Sequence, residues 1–288
     1  MKSDLECLVC LMKQALNTVR IASDDMNIQR MVLDRVAGEI QKSDLFRSPA
    51  DISTIVYRIV SEVTGIADPY HEIKKRTNKE ALQMLPFLKE VVSNADDTLD
   101  AALHIAVAGN IIDVGIGHAY DLKNDVADIL KTEFVVNDID AFRKELHPGR
   151  KLLFLGDNSG EIVFDRILIE ELLNYDVDIT FVVKSGPIIN DAMMEDAEEA
   201  GTKDLVPVIE TGSNDIGVNF ENVSDQFREA LSESEVIIAK GHGNFETCSD
   251  KPGNFYFLLK AKCNVVANEL SISKNDIAFK HHLVLFDE

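Results

Sequence analysis

Short β-rich runs recur at regular intervals from Lys151 onward. They occupy residues 152–155, 179–183, 205–209, 236–239 and 264–267. Successive runs begin roughly 30 residues apart, which is the length of a strand, a crossover helix and two loops. Residues 162–173 carry the periodicity of a helix in the first interval. The spacing predicts an α/β fold with a Rossmann-like, mostly parallel sheet and helices on both faces.

The first half of the chain has a helical pattern instead. Apolar residues between Leu5 and Val19 recur every three or four positions, as on one face of a helix. A further helix is indicated by Ser48 as its N-cap, Pro49 at its first position and Gly65 just past its end.

The two patterns meet between Leu130 and Arg150. The turn signal His147-Pro-Gly-Arg150 directly precedes the first predicted strand. We therefore predict an all-helical domain at residues 1–145 and a Rossmann-like α/β domain at residues 146–288.

The charge balance narrows the possible partners. With 50 acidic and 29 basic residues, the net charge of −21 repels phosphate backbones and anionic lipid. We therefore expect neither nucleic-acid polymer nor membrane as a partner, and a small anionic substrate would need a local cation or a metal.

No segment approaches a membrane helix or a signal peptide in pattern, and four cysteines do not suggest a disulfide framework, so cytoplasm is the expected location. The oligomeric state is left open.

Polar residues follow the predicted strands, at the edge where ligands bind in open α/β sheets. Asp157 and Asn158 stand between two glycines after the first strand, and Asp191 follows the second. Their oxygens are ligands that Mg²⁺ and Mn²⁺ prefer, which predicts a metal site. The alternative is that the pair forms a turn and Asp191 caps a helix.

Charged residues near these loops are candidates for chemistry. Lys184 and Lys240 end two strands, and Lys240 with the backbone of Gly241 is expected to neutralise a substrate phosphate. Glu161 and Asp165 lie one helical turn apart and fit a base or a support for the metal, although acidic residues also favour helix N-termini. His242 receives no assigned role.

Two further features leave alternatives open. Cys7 and Cys10, at positions i and i+3 of a helix, fit half a zinc site, a redox pair or, as we favour, thiols of the core. Asn110 and Asp113 interrupt an apolar segment and need polar partners, of which a ligand is one possibility.

Several of these motifs together resemble a known family, the metal-dependent damage-control phosphatases (domain of unknown function 89). The matching motifs are Gly156-Asp-Asn-Ser-Gly-Glu161 leading into Ile162-Val-Phe-Asp165, Ala239-Lys-Gly-His-Gly-Asn-Phe-Glu246, and Cys7-Leu-Val-Cys10. The cysteine pair and the Gly-Asn-Phe-Glu motif are similar to the prokaryotic and archaeal branch. The resemblance extends over nearly the whole chain.

This resemblance implies a helical domain joined to a Rossmann-like domain, and a divalent metal, Mn²⁺ or Ni²⁺, with Co²⁺ or Mg²⁺ as alternatives. It implies Asp157, Asn158 and Asp191 as metal ligands and Lys240 as a phosphate contact. We expect Asp157, Glu161 and Lys240 to act in catalysis, and expect the substrate to contact Asn110, Ser185, Gly186, Lys240 and Gly241. The Arg-Thr-x-Lys signature of the eukaryotic branch is absent from the C-terminal region, so its sugar-phosphate preference is not transferred.

The predicted function is hydrolysis of phosphomonoesters of small metabolites: damaged nucleotides, cofactor intermediates or sugar phosphates. The nucleophile is either water activated at the metal or Asp157 itself, through an aspartyl-phosphate. Two rivals are a non-catalytic metal- or metabolite-binding module and a carboxyl methyltransferase that uses S-adenosylmethionine. The loop at residues 156–160 lacks the open glycine run expected for that cofactor.

Overall fold

The structure is a computed structural model that describes residues 1–111, 126 and 128–284. The helices of this part are α1 (Leu5–Ala22), α2 (Met26–Ile40), α3 (Pro49–Thr64), α4 (His71–Ser93), α5 (Thr98–Ile111), α6 (Ile139–Glu145), α7 (Glu161–Leu172), α8 (Met194–Glu199), α9 (Asp225–Glu233), α10 (Gly241–Cys248) and α11 (Asn264–Leu270). The strands are β1 (Val136–Asn137), β2 (Lys151–Leu155), β3 (Asp178–Val183), β4 (Val208–Glu210), β5 (Val236–Lys240), β6 (Gly253–Lys260) and β7 (Ile277–Val284).

Helix α3 forms as its local sequence predicts. The hydroxyl of Ser48 accepts a hydrogen bond from the backbone N–H of Asp51 at 3.1 Å, and Pro49 occupies the first turn. Gly65 ends the helix in the left-handed region, with φ of +72°. Both predicted termini of this helix are therefore confirmed.

The strands form a single seven-stranded sheet in the order β1-β7-β6-β5-β2-β3-β4. All neighbouring pairs are parallel except β6 and β7. The chain leaves β2 toward β3 on one side and later returns to β5 on its other side. The predicted Rossmann-like sheet is confirmed, and a ligand-binding crevice is expected where β2 and β5 end.

Both faces of the sheet are covered. In β2, Leu152 and Phe154 pack into one core with α4, α5 and α7, whereas Leu153 and Leu155 pack into another with α9, α10 and α11. Successive residues of β2 alternate between two cores, and both cores are apolar, so the strand has a continuous apolar sequence. It confirms helices on both faces.

The prediction of a strand at residues 264–267 is wrong, because these residues begin helix α11. The Sγ of Cys263 accepts the backbone N–H of Val266 at 3.5 Å and caps the helix, which outweighs the β propensity of the paired valines. The sheet instead continues through β6, β7 and the short β1.

The hydrophobic cores do not follow the predicted boundary near residue 145. Helices α1, α2 and α3 share a core of their own, which includes Leu11, Val36 and Val56. Helices α4 and α5 instead belong to the core of the sheet, since α5 is buried along its length from Ala101 to Gly109 and packs on α7. A helix that is apolar on all sides needs a second covering layer, which only the sheet and its helices provide. None of the helices that the structure describes has the length and apolar character to cross a bilayer.

Candidate active site

Asp157, Asn158 and Asp191 lie together, as predicted, beyond the carboxyl end of β2. The backbone N–H of Ala192 donates to the carbonyl of Asp157 at 2.9 Å, and the N–H of Ser159 donates to the carbonyl of Asn190 at 2.8 Å. These bonds form a short bridge between Asn158 and Asp191. Two loops that are distant in sequence are thus joined by backbone hydrogen bonds.

Burial and neighbouring carboxylates raise the pKa of both acidic residues of this cluster. Burial and the nearby carboxylates of Glu161 and Asp191 raise the pKa of Asp157 well above its usual range. Burial also raises the pKa of Asp191 to about 6, although Lys184 lies 3.7 Å from its Oδ2 and opposes the shift. A bound cation would relieve this repulsion.

The donor chemistry fits a divalent metal. Asp157 and Asp191 offer carboxylate oxygens and Asn158 offers an amide oxygen, which are hard donors. Within the described ranges 1–111, 126 and 128–284, no three His, Cys, Asp or Glu side chains form a ready metal cage, so this site depends on the amide of Asn158.

A second layer of charged groups supports the cluster. The amide nitrogen of Asn158 donates to Glu161 Oε1 at 2.6 Å and to Asp157 Oδ2 at 3.1 Å. Lys240 is fully buried, with its Nζ 2.5 Å from Asp165 Oδ1 and 3.5 Å from Glu161 Oε2. Lys240 is therefore already paired, and in this arrangement it positions Glu161.

The pKa shifts agree with this pairing. Burial raises the pKa of Asp165 to about 6, against the effect of Lys240. Burial alone would lower the pKa of Lys240, but Asp165 and Glu161 outweigh it and the pKa is raised. The ammonium of Lys240 is thus charged at neutral pH.

A cavity of about 420 Å³ opens over the cluster. Its floor includes Asp157, Asn158 and Asp191, and His242, Glu246 and Lys262 line one side. The helical part of the chain also lines this cavity, through α1 and the start of α3. The residues it contributes are Glu6, Cys7, Cys10, Leu11, Gln14, Pro49, Ala50 and Ser53.

Other predicted contacts lie elsewhere. Ser185 is exposed, and its hydroxyl accepts the N–H of Gly212 at 2.7 Å, while Gly186 packs beside Asn214; neither residue lines the cavity. Lys184 is buried and donates to the carbonyl of Gly217. The side chain of Asn110 and the whole of Asp113 lie outside the described residues.

Gly241, which we expected to contact the substrate, lies directly beside Asp157. Its φ is +75°, and a Cβ at this position would lie 1.9 Å from Asp157 Oδ2. Next to it, burial lowers the pKa of His242 to about 4, so the imidazole is neutral at physiological pH. Its Nε2 lies 2.9 Å from both the carbonyl of Lys260 and the N–H of Lys262. His242 therefore fixes the loop after β6.

Lys262 is a candidate that our sequence reasoning missed. It is exposed in the cavity wall, and within the described part of the chain its ammonium forms neither an ion pair nor a hydrogen bond. Its charge lowers the pKa of Asp157. Lys262 follows β6, and ligands bind beyond the carboxyl ends of strands in open α/β sheets. A prediction of β6 from the sequence would therefore have made Lys262 a candidate.

Two buried asparagines position the loops. Asn78 of α4 accepts the N–H of Gly160 at 2.6 Å and donates to Asp196 at 2.7 Å. Asn244 donates to the carbonyls of Gly156 and Lys240, at 3.0 and 2.8 Å. Buried amides so fully bonded hold the ends of β2 and β5 at a fixed separation.

The chain is similar to known proteins over nearly its whole length. Residues 3–277 match the damage-control phosphatase ARMT1-like domain. A damage-control phosphatase of Pyrococcus horikoshii is 35% identical over 95% of this chain and 96% of its own. One from Archaeoglobus fulgidus is 34% identical over 97% of this chain and 99% of its own.

A crystal structure supports the same relationship. The chain superposes on a DUF89 family protein from Pyrococcus horikoshii with a TM-score of 0.92 and 34% identity, over 98% of this chain and 99% of that one. The chain therefore belongs to the damage-control phosphatase family with an ARMT1-like domain, and the prediction of a metal-dependent phosphatase is confirmed.

Proposed function

We propose that this phosphatase hydrolyses phosphomonoesters of small metabolites at the cavity floor, with Mn²⁺ or Ni²⁺ held by Asp157, Asn158 and Asp191. The observation that carries the proposal is the bridge between Asn158 and Asp191, because it gathers the buried Asp191 and the half-buried Asp157 and Asn158 in the lining of one cavity. A divalent metal there supplies positive charge that offsets the charge of the phosphate and of the transition state.

The protein groups have separate roles in this proposal. Lys262 binds a phosphate oxygen, since its ammonium faces the cavity and has no competing partner in the part of the chain that the structure describes. Glu161 accepts a proton from the attacking water. Lys240 keeps the Glu161 carboxylate in place, since its Nζ lies 3.5 Å from Oε2 of Glu161.

Phosphate release tests the activity. The wild-type protein would be assayed on p-nitrophenyl phosphate, sugar phosphates and nucleoside monophosphates, first in chelator and then with Mn²⁺ or Ni²⁺. We expect release only with metal, and a loss of at least 100-fold in Asp157→Asn. Asp178→Asn is the matched control, because Asp178 is an exposed residue at the opposite end of the sheet.

Metal binding is measured separately, as the rise in melting temperature on adding Mn²⁺. The wild type and Asp178→Asn should both gain stability, and Asp157→Asn should not. If no metal supports release from any substrate while Mn²⁺ still stabilises the wild type, a binding module replaces the proposed enzyme. A stable beryllofluoride adduct on Asp157 would contradict water as the nucleophile.

A further inference from the structure

Three cysteines lie together in the cavity wall. Cys7 and Cys10 come from α1, and Cys263 caps α11. The two segments touch, because the amide of Asn264 donates to the carboxylate of Glu6 at 3.4 Å. The sulfurs lie near enough for charge on one to act on another: Cys10 raises the pKa of Cys263, and Cys263 raises the pKa of Cys7. We expected Cys7 and Cys10 to be core thiols. Cys7 is buried as expected, whereas Cys10 is exposed.

The three thiols differ in accessibility. Cys10 is exposed, Cys263 is half-buried and Cys7 is 8% exposed. Cys7 is also engaged, since its Sγ accepts the N–H of Asp4 at 3.4 Å in the first turn of α1. A reagent that enters the cavity therefore meets Cys10 and Cys263 first.

We propose that Cys10 and Cys263 form an oxidisable pair, and that a disulfide between them closes the active cavity. This link would join α1 to the loop that follows β6. A bond between Cys7 and Cys10 is the geometric alternative, because helix geometry places their Cα atoms about 5 Å apart, within the range for a disulfide. That bond would stay within one helix and leave the cavity open.

The chemistry requires a hydroperoxide such as hydrogen peroxide. The thiol of Cys10 loses its proton and the thiolate attacks one peroxide oxygen, so the O–O bond breaks and hydroxide leaves. The hydroxide takes up the proton to form one water, and Cys10 is left as a sulfenic acid. The sulfur of Cys263 then attacks the sulfenic sulfur, the S–S bond forms, and the hydroxyl leaves as a second water. The two thiols lose two electrons and two protons, and the peroxide is reduced.

The position of Cys263 explains the effect on activity. It is adjacent to Lys262, so a bond to Cys10 would fix the loop that carries Lys262 against α1 in the lining of the cavity. Burial raises the pKa of Cys263, so the reaction should accelerate as the pH rises above neutrality. The predicted loss of phosphatase activity on oxidation rests on the proposed function. The predicted disulfide does not, because it depends only on the positions of the cysteines.

The experiment treats the reduced, full-length, metal-free protein with a small excess of hydrogen peroxide and maps disulfides by non-reducing peptide mass spectrometry. We expect a peptide linked through Cys10 and Cys263, absent from Cys10→Ser and from Cys263→Ser. Cys248→Ser is the control, because Cys248 is fully buried in the core and apart from this cluster, and it should behave as wild type.

Activity is then measured with Mn²⁺ after peroxide removal, each variant relative to its own reduced form. The wild type and Cys248→Ser should lose at least tenfold and recover with dithiothreitol, and the Cys10 and Cys263 variants should be resistant. A Cys7–Cys10 link, or the absence of any intramolecular disulfide, would overturn the inference. Equal inactivation of all variants would show that the disulfide does not close the cavity. If the protein had no phosphatase activity, the mapped disulfide would still test the proposed cysteine pair.

Discussion

Gly241 leaves no room for a side chain beside the carboxylate of Asp157. A Cβ at this position would lie 1.9 Å from Oδ2 and 2.4 Å from Cγ of Asp157. The end of β5 thus presents bare backbone to the first metal-ligand candidate, which follows β2. The two strands are neighbours at the point where the strand order reverses, and this contact shapes the floor of the cavity.

Gly241→Ala should therefore disturb the site more than the fold. The left-handed backbone costs a non-glycine residue about 1–2 kcal/mol, and displacement of Asp157 should lower kcat/KM about 100-fold. Gly149→Ala is the control, because Gly149 has φ of +76° and open space around it. Urea unfolding should show destabilisation from backbone strain in both variants, with a further loss in Gly241→Ala from the contact with Asp157. Only Gly241→Ala should lose activity and Mn²⁺ affinity. Full activity in Gly241→Ala would refute this role.

Lys262→Ala should weaken phosphate binding. Since its ammonium faces the cavity beside Asp157, we expect kcat/KM to fall about 10- to 100-fold, with partial rescue in Lys262→Arg. Lys274→Ala removes the same charge from an exposed turn and should retain activity. Steady-state kinetics at two salt concentrations would check this, and equal losses in the two alanine variants would point to net charge alone.

Mn²⁺ affinity should increase with pH. Burial raises the pKa of Asp191 from its ordinary value of 3.8 to about 6. Between pH 4 and 6, Asp191 is therefore protonated in the metal-free folded protein and ionised in the unfolded chain. The stability of the metal-free protein should therefore fall as the pH rises through that window. Metal binding displaces the proton, so titration calorimetry should show at least about tenfold tighter binding at pH 7 than at pH 5. Affinity that is constant over this range would exclude the linkage.

Glu246→Gln should stabilise the protein, and more so as the pH rises. Burial raises the pKa of Glu246 to about 8 from 4.5, so the wild type becomes less stable between those two values as the unfolded chain ionises. Glutamine stays neutral and can still accept the N–H of Ala50, so the gain should grow by about 4 kcal/mol from pH 4.5 to 8. Glu229→Gln, on the exposed face of α9, should show no such trend in urea unfolding.

Local pattern predicted much of the fold. The cap and terminal residues of α3 and the buried strands β2, β3 and β5 were recognisable because each depends on neighbours a few positions away. Where local signals conflicted, prediction failed, as at residues 264–267, where Cys263 caps a helix that the valines disfavour.

The sequence by itself determined which polar residues follow the strands, and the metal-ligand candidates Asp157, Asn158 and Asp191 came from that rule. Only the tertiary structure decided how they are used. Strand order placed Asp191 against Asn158, enclosed Lys240 between two carboxylates, and brought α1 over the cavity beside Lys262. The physical reason is that periodicity and capping act within one element, whereas a shared cavity requires long-range packing among elements whose order in the sheet no local pattern encodes.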